Sequence, residues 1–351
     1  MKIVMVSGHS CMRVHKQALP LLEQGHEVHL IARKKVPFST WYKTFIQYDD
    51  ITQCLNGIKL HKDADIFHIH NEPSWFGIAV KELTDRPVVM DVHDTFLTRS
   101  TPEENEAAIR EGKEHMRISV DERNSFQAAD GLVFVSKAVE EITKREFKLD
   151  QPSVVLPSYV PKSLYRYNFK NWIGGLVYQG RVTLPDEYNQ LDRMTGADYC
   201  DYVQVANQCK EIGMDFHLYN GRHIEEEYMK TYQDIAIVHK GYDYNGLLGQ
   251  LTKHDWGLVG NSYYHRQWQM TTPNKMFDYL ASGVPSVCIN AEASSEIVEE
   301  YGIGITVESI QELAERWAEH RICRDNIWKH RNALSMDENI HIVQKLYEEL
   351  L

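Results

Sequence analysis

The sequence has no Cys-x-x-Cys pair, no Gly-x-Gly-x-x-Gly turn, no Pro-, Gly- or Ser-rich tract and no short-period repeat. Each absence removes a class of protein. The six cysteines (Cys11, Cys54, Cys200, Cys209, Cys288 and Cys323) stand singly, so neither a zinc knuckle nor a dithiol redox motif is indicated. The loop after the first strand-like run carries one glycine, Gly8. The second such run ends Ile31-Ala32-Arg33-Lys34, without the acidic residue that would hold a ribose 2′-hydroxyl. A dinucleotide-dependent dehydrogenase is excluded on both counts. Lack of repeats and low-complexity segments excludes a solenoid or a disordered tail. Basic residues are not in excess: 38 Lys and Arg face 50 Asp and Glu, a formal charge of -12. That is the reverse of the footprint of a general nucleic-acid binder. No 18-residue apolar run occurs, and no charged-then-apolar leader precedes the strand-like run at 2–6. The pattern predicts a chain with neither a membrane span nor a signal peptide. Its scattered single thiols suit the cytosol.

What is present is an alternation. With 351 residues, 43% of them hydrophobic, the chain is long enough for two domains with full cores. Short apolar runs at 1–6, 27–32, 66–70, 87–92 and 132–135 read as strands. Amphipathic stretches at 13–23, 74–83 and 103–127 lie between them and read as helices. The pattern restarts with strands at 175–179, 216–219, 235–238, 256–259 and 285–289, and helices at 203–212, 244–251, 273–282 and 295–301. Strands alternating with helices imply α/β layers with parallel sheets. Two such series imply two Rossmann-like, doubly wound domains facing across a cleft. Pro157 and Pro161 interrupt any helix around 156–171. The predicted organisation is 1–160, 161–335 and a C-terminal helix within 336–351. Ligands of such sheets sit at the carboxyl ends of the strands.

The most informative stretch is Thr271-Thr272-Pro273-Asn274-Lys275-Met276-Phe277-Asp278-Tyr279-Leu280-Ala281-Ser282-Gly283. Thr272 suits an N-cap, Pro273 the first helical position and Gly283 the position past the end. Met276, Phe277, Leu280 and Ala281 share an apolar face; Lys275, Asp278 and Ser282 share another. A helix N-terminus followed by a lysine suits a diphosphate, and an aspartate one turn deeper suits ribose hydroxyls. The plainer alternative is a surface helix carrying an ordinary Lys–Asp pair.

The run from Pro273 through Val284-Pro285 resembles the donor-site helix of family 4 retaining glycosyltransferases, P-x-K-x-x-E-Y-x-A-x-G-x-P. Other segments resemble that family in the same order along the chain. They are Gly25-His26-Glu27-Val28, Asp91-Val92-His93-Asp94, Leu176-Val177-Tyr178-Gln179-Gly180-Arg181 and Val238-His239-Lys240-Gly241-Tyr242. The resemblance implies the GT-B fold, with an acceptor-binding N-terminal domain and a donor-binding C-terminal one. It implies transfer of a sugar from a nucleotide-diphosphate sugar, with retention and without metal, to a glycan, lipid-linked or small-molecule acceptor. Gly180, Arg181, Gly241, Tyr242, Thr271, Thr272, Asn274, Lys275 and Asp278 become donor-binding candidates. His93, Asp94, Arg181 and Lys275 become catalytic candidates, and Gly8, His9 and Arg13 acceptor-side candidates. Two positions depart from the family. Asp278 stands for the second of its paired glutamates and Met270 for the first, and 183–190 lacks the basic residue that usually follows Gly-Arg. An NDP-sugar epimerase or a phosphorylase is the enzyme rival, and Met270 and Asp278 support the other rival, an inactive sugar-nucleotide-binding module.

Two further patterns bear on metal and membrane. His68 and His70, on one side of a strand, can join His93 as metal ligands, and Asp63-Ala64-Asp65 mimics the D-x-D of metal-dependent transferases. Turn chemistry accounts for the latter, and no metal is expected. Arg33, Lys34, Lys35 and Lys43 interleave with Phe38, Trp41 and Tyr42, a composition that suits peripheral contact with an anionic membrane through 33–43.

Overall fold

A computed structural model describes residues 1–8, 11–35, 37–70, 75–111, 117–166, 171–183, 200–219 and 226–351. The chain divides into two compact units. One comprises Met1–Pro161 together with Met336–Leu351, and the other Lys162–Ser335.

The first unit is built on seven strands: β1 (Lys2–Ser7), β2 (Glu27–Ala32), β3 (Thr44–Gln47), β4 (Ile66–His70), β5 (Val88–Val92), β6 (Gly131–Phe134) and β7 (Ser153–Val155). Their order is β3-β2-β1-β4-β5-β6-β7, and every pairing among the described residues is parallel. The second unit holds β8 (Leu176–Gln179), β9 (Phe216–Tyr219), β10 (Ile237–His239), β11 (Trp256–Gly260), β12 (Ser286–Ile289) and β13 (Gly304–Thr306). Its order is β10-β9-β8-β11-β12-β13, again parallel among the described residues. Both are doubly wound Rossmann-like sheets, as the alternating pattern predicts. Strand order reverses between β1 and β4 in one unit and between β8 and β11 in the other, and such switch points open a crevice at the strand ends.

The central strands are almost wholly buried: Ile3 through Val6, Ile66 through Ile69 and Val88 through Met90 are apolar or packed under helices. That is why they read as continuous hydrophobic runs rather than alternations. The predicted helix over 103–127 is two helices, Pro102–Arg110 and Arg117–Ala128, and 112–116 lies outside the described residues. The helix His341–Leu350, whose apolar face has no obvious partner in the sequence, packs in the first unit. Met336, Ile340, Val343, Leu346 and Tyr347 join Ile3, Met5, Val89 and Val133 in one core cluster.

The aromatic half of the 33–43 segment turns inward. Phe38 and Tyr42 are buried, and both pack around His15, with Tyr42 Oη 2.8 Å from its Nδ1. Arg33, Lys34, Lys35 and Lys43 stay exposed. Asp63 is 74% exposed and pairs with Lys2 at 2.6 Å, while Asp65 accepts the Lys2 backbone N–H at 2.7 Å. Both aspartates thus serve the turn before β4. Among the described residues no helix is long and apolar enough to cross a membrane.

Candidate functional site

In the second unit the switch point gathers most of the donor candidates. β8 ends at Gln179, and Gly180 follows with φ +137°. That backbone conformation favours glycine, and a Cβ there would lie 3.2 Å from Tyr178 Oη and 3.5 Å from Lys275 Cε. Arg181 comes next and is exposed; its carbonyl accepts from Tyr178 Oη at 2.9 Å. The Lys275 ammonium lies 4.7 Å from the Tyr178 ring centroid and 4.4 Å from that of Trp268. Two aromatic faces therefore hold the charge beside the Gly-Arg turn.

The helix carrying Lys275 runs Asn274–Ala281. It starts one residue later than the sequence suggests. Pro273 is the N-cap, at φ -72° and ψ 154°, and its extended backbone displaces Thr272 from that role. Thr271 and Thr272 are buried, and Thr271 Oγ1 donates to the Gln267 carbonyl at 2.7 Å. Asn274 is exposed at the first turn. The far end closes as a Schellman motif: the Gly283 N–H reaches Leu280 O at 3.1 Å and the Val284 N–H reaches Tyr279 O at 2.9 Å.

Asp278 is only 3% exposed, which corrects the alternative of a solvated surface pair. Its Oδ2 accepts from Gln179 Nε2 at 2.9 Å and its Oδ1 from Tyr244 Oη at 2.6 Å. Burial, and then the neighbouring Asp278, push the Tyr244 hydroxyl well above the usual phenol range, so it stays protonated and donates. Tyr244 opens the helix Tyr244–Leu251, capped by Asp243, just beyond the candidates Gly241 and Tyr242. Gly241 is exposed and Tyr242 half-buried, with the Lys240 ammonium 5.5 Å from the Tyr242 ring centroid. Met270 ends the helix Arg266–Met270 and brings no carboxylate.

In the first unit the centre is Asp91 on β5, fully buried. Arg13 Nε donates to its Oδ1 at 2.7 Å and Gln17 Nε2 to its Oδ2 at 2.5 Å. His93 Nε2 lies 3.3 Å from Oδ1 and His68 Nε2 3.5 Å from Oδ2. Burial alone would raise this carboxyl; the Arg13 guanidinium and the surrounding imidazoles hold it well below the usual carboxylate range. His93 also meets His70 Nδ1 at 2.9 Å and Cys11 Sγ at 3.6 Å. Burial keeps His70 and His93 below the usual imidazole range, with Asp91 pulling the other way. Arg13 is 1% exposed and also donates to Ser158 Oγ at 3.0 Å. It braces β5 from inside, a correction to its expected place facing an acceptor. Asp94 pairs with Arg99 at 3.5 Å. Gly8 is buried after β1, and His9 lies outside the described residues.

Two family models match the chain: Glycosyltransferase Family 4 over residues 13–163 and Glucosyltransferase 3-like, C-terminal domain over 189–325. The chain is a GT-B glycosyltransferase similar to family 4. Solved structures of the same fold include sucrose-phosphate synthase from Thermosynechococcus elongatus, with 12% identity and a TM-score of 0.72 over 100% of this chain and 99% of that one. HepE from Anabaena, solved with UDP-glucose, gives 13% and 0.69 over 99% and 100%. An alpha-glucosyltransferase solved with UDP gives 13% and 0.62 over 100% and 99%. No curated protein sequence matches significantly.

Sequence reasoning missed several residues of this glycosyltransferase. Tyr178, Gln179, Trp268 and Tyr244 surround Lys275 and Asp278. Only Gln179 and Tyr178 carried a signal, as neighbours of Gly180 at the end of a strand. Asp91 appeared only as a letter in Asp91-Val92-His93-Asp94; a carboxylate inside an apolar run was the available clue.

Proposed function

We propose that this enzyme transfers a sugar from a UDP-sugar, with UDP-glucose the first donor to test, and that configuration is retained. The observation that carries the reading is the convergence of Gly180-Arg181, Lys275 and Asp278 at the carboxyl end of β8. Arg181 and Lys275 supply positive charge for a departing diphosphate, and the start of the Asn274–Ala281 helix adds its dipole. Asp278, one turn along, takes the ribose hydroxyls in this reading. Gln179 Nε2 and Tyr244 Oη each donate to one of its oxygens and fix the orientation of the carboxylate. UDP and UDP-glucose in the HepE and alpha-glucosyltransferase structures support the choice of donor. The chemistry needs no metal in this reading, because two cationic side chains do the neutralising. His93 and Asp94 serve the transferring sugar, and Gly8 and His9 the acceptor, which is a glycan, a lipid-linked sugar or a small molecule. The six cysteines, all free, suit the cytosol. The basic residues at 33–35 and 43 leave peripheral contact with an anionic membrane as part of the proposal.

The test is calorimetric titration of UDP into Arg181→Ala and Lys275→Ala. Each loses a charged hydrogen bond and should weaken binding by about 1.5–3 kcal/mol. Unchanged affinity in both variants removes these residues from the site.

A further inference from the structure

Three histidines in the second unit play no part in the donor site as drawn above. His217 lies on β9, His239 ends β10, and His254 sits two residues before β11. One ring nitrogen from each lies within 4.8 Å of the others. We propose that His217, His239 and His254 form a binding site for a borderline divalent transition metal, with zinc the ion its ligand chemistry fits. The proposal stands independently of the donor reading.

The ring geometry is already that of ligands. His254 Nδ1 lies 2.8 Å from the Gly174 carbonyl. A carbonyl only accepts, so Nδ1 carries the proton and Nε2 presents a lone pair, the tautomer fixed by a second-sphere bond in known metal sites. His217 Nδ1 and His239 Nε2 are 2.9 Å apart, close enough for one ion to join both. One of these two nitrogens holds a proton. On metal binding that proton passes to the same ring's other nitrogen, so both facing nitrogens become ligands and none is released. His217 is 1% exposed. Space for this ring depends on Gly175, where a Cβ would lie 2.8 Å from His217 Cδ2. Burial pushes His217 down to about 4 and His254 to about 3, and lowers His239 as well.

Tyr219 completes the surround. Its ring stacks on His239 at 4.1 Å and 1°, and its hydroxyl lies 3.1 Å from His254 Nε2, a bond it would yield to the ion. Three imidazoles without thiolate or carboxylate favour zinc, copper or nickel over magnesium or calcium. The ion would fasten three chain segments and hold the end of β10, from which Gly241 and Tyr242 emerge.

His68, His70 and Asp91 in the first unit also converge within 4.8 Å, but there the Arg13 guanidinium already neutralises Asp91 at 2.7 Å. A second cation beside it would meet repulsion. The two clusters thus separate on charge.

The experiment uses the full chain, stripped with EDTA and desalted. Zinc chloride titration should show one more bound equivalent in wild type than in His239→Asn or His254→Gln, both checked for folding by circular dichroism. Zinc should raise the melting temperature of wild type more than that of either variant. Cobalt should give wild type the intense visible bands of a four-coordinate site, and the variants should lose them. His68→Asn should leave all three readouts unchanged. Equal stoichiometry in wild type and a folded variant overturns the proposal, as does loss of the site in His68→Asn alone.

Discussion

Tyr244 Oη donates to Asp278 Oδ1 at 2.6 Å, joining the start of the helix Tyr244–Leu251 to the helix that carries Lys275. With Gln179 on the other oxygen, the short aspartate is held from both sides. If Asp278 also accepts a ribose hydroxyl, Asp278→Asn weakens UMP binding, because a charge-assisted acceptor is lost. Comparing UMP with 2′-deoxy-UMP decides whether that hydroxyl is the 2′ one. Wild type should lose affinity for the deoxy form, and Asp278→Asn should show little further loss. Equal penalties in both proteins show that Asp278 does not touch the 2′-hydroxyl.

The Arg13–Asp91 pair is buried on both sides. Removing one member leaves an uncompensated charge, so Asp91→Asn or Arg13→Met should each cost about 3–5 kcal/mol. The double variant should cost less than the sum, since neither charge is then stranded. Urea unfolding of the four proteins measures the coupling; additive losses refute it.

Glu122 accepts the Phe96 N–H at 3.1 Å, and burial pushes its carboxyl up to about 8 from the ordinary 4.5. The folded state then holds a proton that the unfolded state has released between those two values. Its contribution to stability is fully present below 4.5 and is lost as the pH rises through about 8. Glu122→Gln keeps an oxygen for Phe96 and cannot ionise. Its unfolding free energy should lack the slope of about 1.4 kcal/mol per pH unit that this one group adds to wild type in that window. Parallel pH profiles for the two proteins contradict the assignment.

Metal dependence separates the D-x-D-like segment from the proposed chemistry. Asp63 and Asp65 are occupied with Lys2. After EDTA treatment and desalting, magnesium or manganese should leave turnover unchanged. Rescue by either ion makes those aspartates, or the His68 cluster, catalytic ligands.

The sequence was most legible where one helix or strand carried the whole signal. Strands at 27–32, 66–70 and 216–219 are found at those residues, because buried parallel strands are mostly apolar, even with histidines at 29, 68, 70 and 217. β3, β7 and β13 are edge strands, and the first two are only half-buried, so they carry no continuous apolar run. The helix Asn274–Ala281 could be read from the run Pro273 to Gly283 because its end signals and polar face are local. The Asp91 network could not, since its members are contributed by residues 13, 17, 68 and 93, and only folding brings those together. The same holds for His217, His239 and His254.

The helix His341–Leu350 lends Tyr347 to His68, far back on β4. This return sets an order on synthesis. Translation runs at about 5–20 residues per second, so the second unit emerges while the first is still missing part of its core. For roughly 10–40 seconds the N-terminal sheet must wait with the apolar surface for Val343, Leu346 and Tyr347 uncovered. A nascent chain stalled after residue 335 should therefore bind a holdase chaperone through its N-terminal half, and release it once the last helix clears the ribosome.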